Sequence, residues 1–322
     1  MTTRRDFIQT SAAALAAAAC SRTLPGGAVG SSASGAPAHR LPLGFSTLGC
    51  PQWEWQRVLD FAAAHGYAAI ELRGLQGEMD LTKRPEFAPA RIEESKRQLA
   101  ERGLRVACLG SSANMHEVDA AKRAAQLDEG RRFIDLAQAL GAPYVRVFGN
   151  TYVPSIPREA TLANVAAGLR ELGDYARGKN VMVLIESHGD FVDSPTLSTI
   201  LQQADSPAVA LLWDAHHTFA FGKEAPEDTV RQLGRWIRHT HLKDSVPAGP
   251  AATDRRYVLT GKGDVPVRRQ IDALARSGYR GYYSFEWEKR WHPEIEEPEV
   301  AIAQFAEVAS EYLRAAGVRE VS

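Results

Sequence analysis

The chain has 322 residues, with 38 Lys and Arg against 39 Asp and Glu, and 44 % of it is hydrophobic. That balance leaves no excess positive charge to recruit a nucleic-acid backbone or an anionic membrane, and it suits a small neutral substrate. With an N-terminal leader set aside, about 280 residues remain, which fits one α/β barrel of roughly 250 residues better than two domains.

The chain begins with Thr3-Arg4-Arg5-Asp6-Phe7-Ile8 and a short Ala-rich apolar stretch over 11–19. Residues 1–20 thus resemble a twin-arginine export signal, which is too short to span a bilayer. Ala17-Ala18-Ala19 before Cys20 offers either a cleavage site or a lipid anchor at Cys20. Residues 21–40 are rich in Gly, Ala, Ser and Pro without apolar periodicity and read as a flexible tether. The fold is expected over 41–322. Such a leader implies a periplasmic or exported protein that carries its metal out already folded.

Eight short apolar runs follow, at 43–48, 68–73, 105–111, 144–150, 181–187, 209–215, 237–243 and 282–288. Each is rich in Val, Ile, Leu, Tyr or Phe, and helical stretches separate them. One such stretch is 89–102, with Ile92, Leu99 and Ala100 on one face; another is 117–140, with Leu127, Ile134 and Leu136 at helical spacing. Gly66, Gly103, Gly141 and Gly278 end helices just before strands. Eight strands alternating with helices predict a single (β/α)8 TIM barrel. The longer segment 246–264 is expected to loop over the site.

Four runs close on a metal-ligating residue: Glu186, Asp214, His241 and Glu286. Catalytic residues of closed parallel barrels come from the carboxyl ends of several strands, so these four are expected together. Three carboxylates and one imidazole favour Mn2+ or Mg2+, with Co2+ or Zn2+ as alternatives, and the lack of thiolate argues against structural zinc. A cation there would acidify a C–H beside a carbonyl, so Glu186 and Glu286 can act as a proton-transfer pair on opposite sides of it.

Other residues carry open alternatives. His188 shares a strand side with Glu186 and is a substrate-binding candidate. Glu71 and Arg73 either bind sugar hydroxyls or pair with each other. Lys243 and Asp244 orient His241, serve as acid/base groups or form a salt-bridged rim. One of His216 and His217 is structural. Glu288, Lys289 and His292 are expected at the rim, at least half of Trp53, Trp55, Trp213, Trp287 and Trp291 in the core, and Cys50 and Cys108 as buried thiols.

Together, IESHGDF (185–191), LWDAHH (212–217), HTHLKD (239–244), GKGDVP (261–266) and GYYSFEWEK (281–289) resemble the xylose-isomerase-like barrel superfamily of sugar isomerases and epimerases, which also contains apurinic endonucleases; the likeness covers 43–316. It implies that Glu186, Asp214, His241 and Glu286 hold one metal, often Mn2+, that both Glu move protons, and that His217 contacts substrate or metal. Gly110-Ser111 and Phe148-Gly149-Asn150 stand where the endonucleases place extra His ligands, so a three-metal site is not expected. Ser245, Val246 and Pro247 replace an Arg of the ketohexose 3-epimerases, which puts free ketohexose in doubt. The expected activity is isomerisation or epimerisation of an unphosphorylated keto-sugar through a metal-bound enediolate. The alternatives are elimination or hydrolysis of a 3-keto-glycoside, dehydration of a keto-inositol, or a non-catalytic sugar-binding module.

Overall fold

The structure, a computed structural model, describes residues 39–321 except Ala252. The expected signal over 1–20, Cys20 and all but the last two residues of the tether lie outside the described residues.

Eight parallel strands close on themselves: β1 (Leu43–Ser46), β2 (Ala69–Leu72), β3 (Arg105–Asn114), β4 (Tyr144–Phe148), β5 (Met182–Glu186), β6 (Val209–Asp214), β7 (Ile237–Leu242) and, after an inserted antiparallel pair β8 (Asp244–Pro247) and β9 (Arg255–Val258), β10 (Tyr283–Phe285). Closure comes from β10 pairing back onto β1, with Leu43 opposite Tyr283 and Phe45 opposite Phe285, so the barrel has no free edge. Around it run α1 (Trp55–Ala64), α2 (Ile92–Glu101), α3 (Ala120–Leu140), α4 (Arg158–Ala176), α5 (Ser194–Ala204), α6 (Ala215–Ala220), α7 (Pro226–Leu233), α8 (Val267–Arg276) and α9 (Pro298–Ala315). This is the single α/β barrel that the sequence predicts.

Strand alternation sorts the side chains. Val183 and Ile185 of β5 and Leu211 of β6 join the large apolar cluster shared with the helices, whereas Leu184, Ala210 and Leu212 meet Cys108 in a small separate cluster. That small cluster fills the barrel interior below Glu186, which lies two residues beyond Leu184 on the same strand side. Helix α3 buries Leu127, Phe133, Ile134, Leu136 and Leu140. Each such side chain contributes about 1.5–3 kcal/mol of burial. Asp119 caps α3 by accepting from Lys122 N at 2.9 Å, and Gly141 (φ +74°) ends it in the left-handed region.

Two expectations change. Ala100 is exposed, and Ser95, whose Oγ donates to Glu86 O at 2.7 Å, joins Ile92 and Leu99 on the buried face of α2. The segment 246–264 is no simple loop, because β8 runs into it and pairs with β9, from Asp244 opposite Val258 to Pro247 opposite Arg255. Asp244 pins the end of this excursion. Its carboxylate accepts from the backbone N–H of Gly261 at 2.8 Å, Gly263 at 2.9 Å and Val265 at 3.2 Å. A Cβ at Gly263 would stand 2.1 Å from Asp244 Oδ1, so the approach requires glycine.

Candidate metal centre

Register brings the four strand-end residues to one place. Asp214 lies opposite His241 across β6 and β7, His241 opposite Ser284 across β7 and β10, and Glu286 just beyond the end of β10. Across β4 and β5, Phe148 lies opposite Glu186. All four side chains are buried, and each offers one donor atom within 4.8 Å of the others.

The imidazole stands at the middle. His241 Nδ1 is 3.1 Å from Glu286 Oε2, 3.5 Å from Glu186 Oε1 and 4.0 Å from Asp214 Oδ2. Among the described residues it has no well-aligned hydrogen bond, and the carboxylates around the ring hold its pKa well above the ordinary imidazole range despite its burial, so a cation taking that nitrogen would displace a proton. On the far side of the ring, Nε2 meets Glu71 Oε2 at 2.8 Å, and the same oxygen meets His239 Nε2 at 2.8 Å. Glu71 Oε1 accepts from Ser46 Oγ at 3.1 Å. A carboxylate fixing the distal nitrogen of a histidine in this way orients metal-binding histidines.

Cations flank the carboxylates. Arg146, buried on β4, places Nε 2.9 Å from Glu186 Oε2. Burial opposes charge on Glu186, yet Arg146 and His241 bring its carboxyl down to about 2. Lys243, 0 % exposed, sets Nζ 2.6 Å from Asp214 Oδ2, 2.9 Å from Glu288 Oε1 and against Glu286 Oε2. Burial works against this ammonium, but Asp214, Glu286 and Glu288 outweigh it and hold it well above the ordinary lysine value. Burial pushes the Asp214 carboxyl up to about 6 against the pull of Lys243.

Two further imidazoles line the same end. His217 Nδ1 lies 3.0 Å from Ser187 O and 3.3 Å from Asp214 Oδ2. His188 Nδ1 lies 3.1 Å from Asn150 Oδ1, and its ring packs 4.7 Å from Phe148. Burial lowers both rings to about 4, with Lys243 adding to the effect at His217, so both are neutral at pH 7. His216 is fully buried and bonds Ser245 Oγ at 2.7 Å, with its ring 5.5 Å from that of His217.

A family model described as Xylose isomerase-like TIM barrel matches residues 59–312. The chain belongs to this family. Comparison with curated proteins returns no match. Among solved structures it is similar to the IOLI protein with a bound zinc atom (TM-score 0.71, 18% identity, 85% of this chain and 99% of that one). It is also similar to L-ribulose 3-epimerase (0.70, 17%, 85% and 95%). A third is D-psicose 3-epimerase with D-tagatose from Clostridium cellulolyticum H10 (0.67, 17%, 84% and 99%). At such identities the likeness shows the fold.

Several expectations are corrected. Glu71 does not face sugar hydroxyls, because both its oxygens are used beneath His241. It forms no ion pair with Arg73 among the described residues. Lys243 is no rim residue, and Glu288 leaves the rim to bind it. Trp53, Trp55, Trp213 and Trp287 are core, and Trp291 is 54 % exposed. Cys50 and Cys108 are buried free thiols, as expected. Sequence reading missed Arg146 and His239. A lone Arg inside the apolar YVRVF and a His alternating with His241 were the signals available.

Proposed function

We propose that the protein is a divalent-metal-dependent isomerase or epimerase of an unphosphorylated keto-sugar, with Glu186, Asp214, His241 and Glu286 as ligands and Mn2+ as the first candidate ion. Three buried carboxylates converging on one imidazole nitrogen fit a hard divalent cation. A bound ion would polarise a substrate carbonyl and acidify the adjacent C–H.

The reading is carried by the placing of Glu186 and Glu286, on strands separated by β6 and β7, with different cations behind them. Glu186, held ionised by Arg146, accepts a proton from carbon. The proton returned to the other face comes from the Lys243 ammonium by way of Glu286, which His241 and that ammonium hold ionised despite its burial, so the substrate passes through an enediolate and changes configuration or carbonyl position. Neutral His188 and His217 bind sugar hydroxyls. The sugar epimerases among the similar structures support this reading.

The protein loaded with Mn2+ in D2O, offered free ketoses and 3-keto-glycosides, should incorporate deuterium beside the carbonyl by NMR without releasing an aglycone. Glu186→Gln and Glu286→Gln should each abolish incorporation. Aglycone release would turn the assignment to elimination, and binding unchanged by either variant with no turnover in the wild type would leave a sugar-binding module. The same proposal includes export through residues 1–20 to the periplasm, with or without a lipid at Cys20. Unchanged export after Arg4→Lys and Arg5→Lys would refute it.

A further inference from the structure

Arg73 follows β2 immediately, two residues beyond Glu71, so its side chain leaves on the strand side that carries Glu71 toward His241. It is 7 % exposed. Its backbone N–H donates to Thr47 Oγ1 at 2.8 Å, which fixes the Cα, and its guanidinium makes one long contact, Nη1 to Gly110 O at 3.5 Å. No carboxylate lies within 4.0 Å of it among the described residues, and neither Nε nor Nη2 has an acceptor there. Every acid near it is engaged elsewhere. Glu186 has Arg146, Glu286 has Lys243, and Glu129 accepts from Ser112 N.

A guanidinium largely withdrawn from water and hydrogen-bonded to no carboxylate is costly unless a ligand completes it. Burial and the neighbouring Arg146 lower Arg73 to about 9 against the pull of Glu186, Glu286 and Glu129, which still leaves it cationic at neutral pH. The chain also makes room for it. A Cβ at Gly110 would stand 2.7 Å from Arg73 Cδ and 2.9 Å from Arg146 Nη2, so a glycine on β3 lets both arginines lie across that strand.

We propose that Arg73 binds a carboxylate of the substrate, so that the protein prefers a sugar acid to the matching neutral sugar. This rests on the placing of the reaction at Glu186 and Glu286. A planar fork of N–H donors matches the two oxygens of a carboxylate, and the charge-assisted pair is strong where water is scarce. A neutral hydroxyl in its place would leave the cation uncompensated. The near-zero net charge of the chain does not oppose this, because a single buried cation selects the anion.

The test compares ligands that differ in the carboxylate alone, 2-keto-D-gluconate against D-fructose and D-glucuronate against D-glucose, by calorimetry on the full chain loaded with Mn2+. The acid of each matched pair should bind at least about tenfold tighter. Arg73→Gln should remove that preference and leave the neutral sugar unaffected, and Arg73→Lys, which keeps charge without the fork, should retain part of it. The Lys variant also guards against misfolding of the Gln variant. Equal binding of acid and neutral sugar, no binding of either acid, or a preference that survives Arg73→Gln because the metal alone chelates the acid would each overturn the inference. Deuterium exchange in the same samples separates the two readings. Exchange into D-fructose with no Arg73 dependence keeps the isomerase and sinks the sugar acid, whereas Arg73-dependent binding without exchange does the reverse.

Discussion

Glu71 Oε2 lies 2.8 Å from His241 Nε2, so the ring is held from behind with Nδ1 turned to Glu186, Asp214 and Glu286. The carboxylate fixes which nitrogen carries the proton and therefore which one offers a lone pair.

Glu71→Gln tests this directly. An amide oxygen can accept from His241 or His239 but lacks the charge that favours both bonds, and its NH2 opposes an N–H donor. Mn2+ affinity should fall about 10- to 100-fold by calorimetry with the circular dichroism unchanged. Unaltered affinity would mean that packing alone orients the ring.

Lys243 occupies the same two carboxylate oxygens, Asp214 Oδ2 and Glu286 Oε2, that face His241 Nδ1. It therefore acts as counter-charge to acids that a divalent ion would also neutralise. Lys243→Met strips the ammonium from Asp214, Glu286 and Glu288, and breaking a buried pair from one side costs about 3–5 kcal/mol. That loss should appear in urea denaturation with a chelator present and shrink markedly with saturating Mn2+. An equal loss in both conditions would show that the metal does not share these oxygens.

The fold was legible because each barrel strand is a compact apolar run and each connecting helix carries a spaced buried stripe. The convergence of Glu186, Asp214, His241 and Glu286 was legible for the same reason, since a charged residue closing an apolar run in a parallel barrel stands at its carboxyl end. Partners across the barrel were harder. Glu71 meets His241 at a separation of 170 residues, and nothing in either strand states which nitrogen faces the other. Glu288 follows the last barrel strand like any loop acid, and only the inward reach of Lys243 gives it a role. The β8–β9 pair escaped because Asp244, Ser245, Arg255 and Arg256 leave no apolar alternation to read.

Thiol chemistry gives a simple check on the interior. Burial pushes the Cys50 and Cys108 thiols up, with Glu71 adding to the effect at Cys108. The thiolate is the nucleophile, so a raised value means almost no reactive form at pH 8. In the Cys20→Ser chain, a disulfide reagent should find no fast thiol in the native state and two after denaturation. A fast native thiol would mean that the barrel opens near one of these residues.

The junction between β4 and β5 should be among the least tolerant of added bulk. Gly189 has φ +63°, and a Cβ there would stand 2.0 Å from Asn150 O, which is backbone. Asp190 N donates to that same oxygen at 2.8 Å, while Asn150, itself at φ +73°, offers Oδ1 to His188 at 3.1 Å. Flexible side-chain movement cannot relieve the clash, so Gly189→Ala must move the chain on both sides of it. The expected cost is about 1–3 kcal/mol from strain and overpacking. Because His188 is adjacent, its tie to Asn150 should break as well, moving its imidazole NMR signals, whereas Gly178→Ala, at φ +79° with nothing within 4 Å, should strain the backbone without disturbing His188. Equal stability and unmoved His188 signals in Gly189→Ala would show that the two loops do not hold each other.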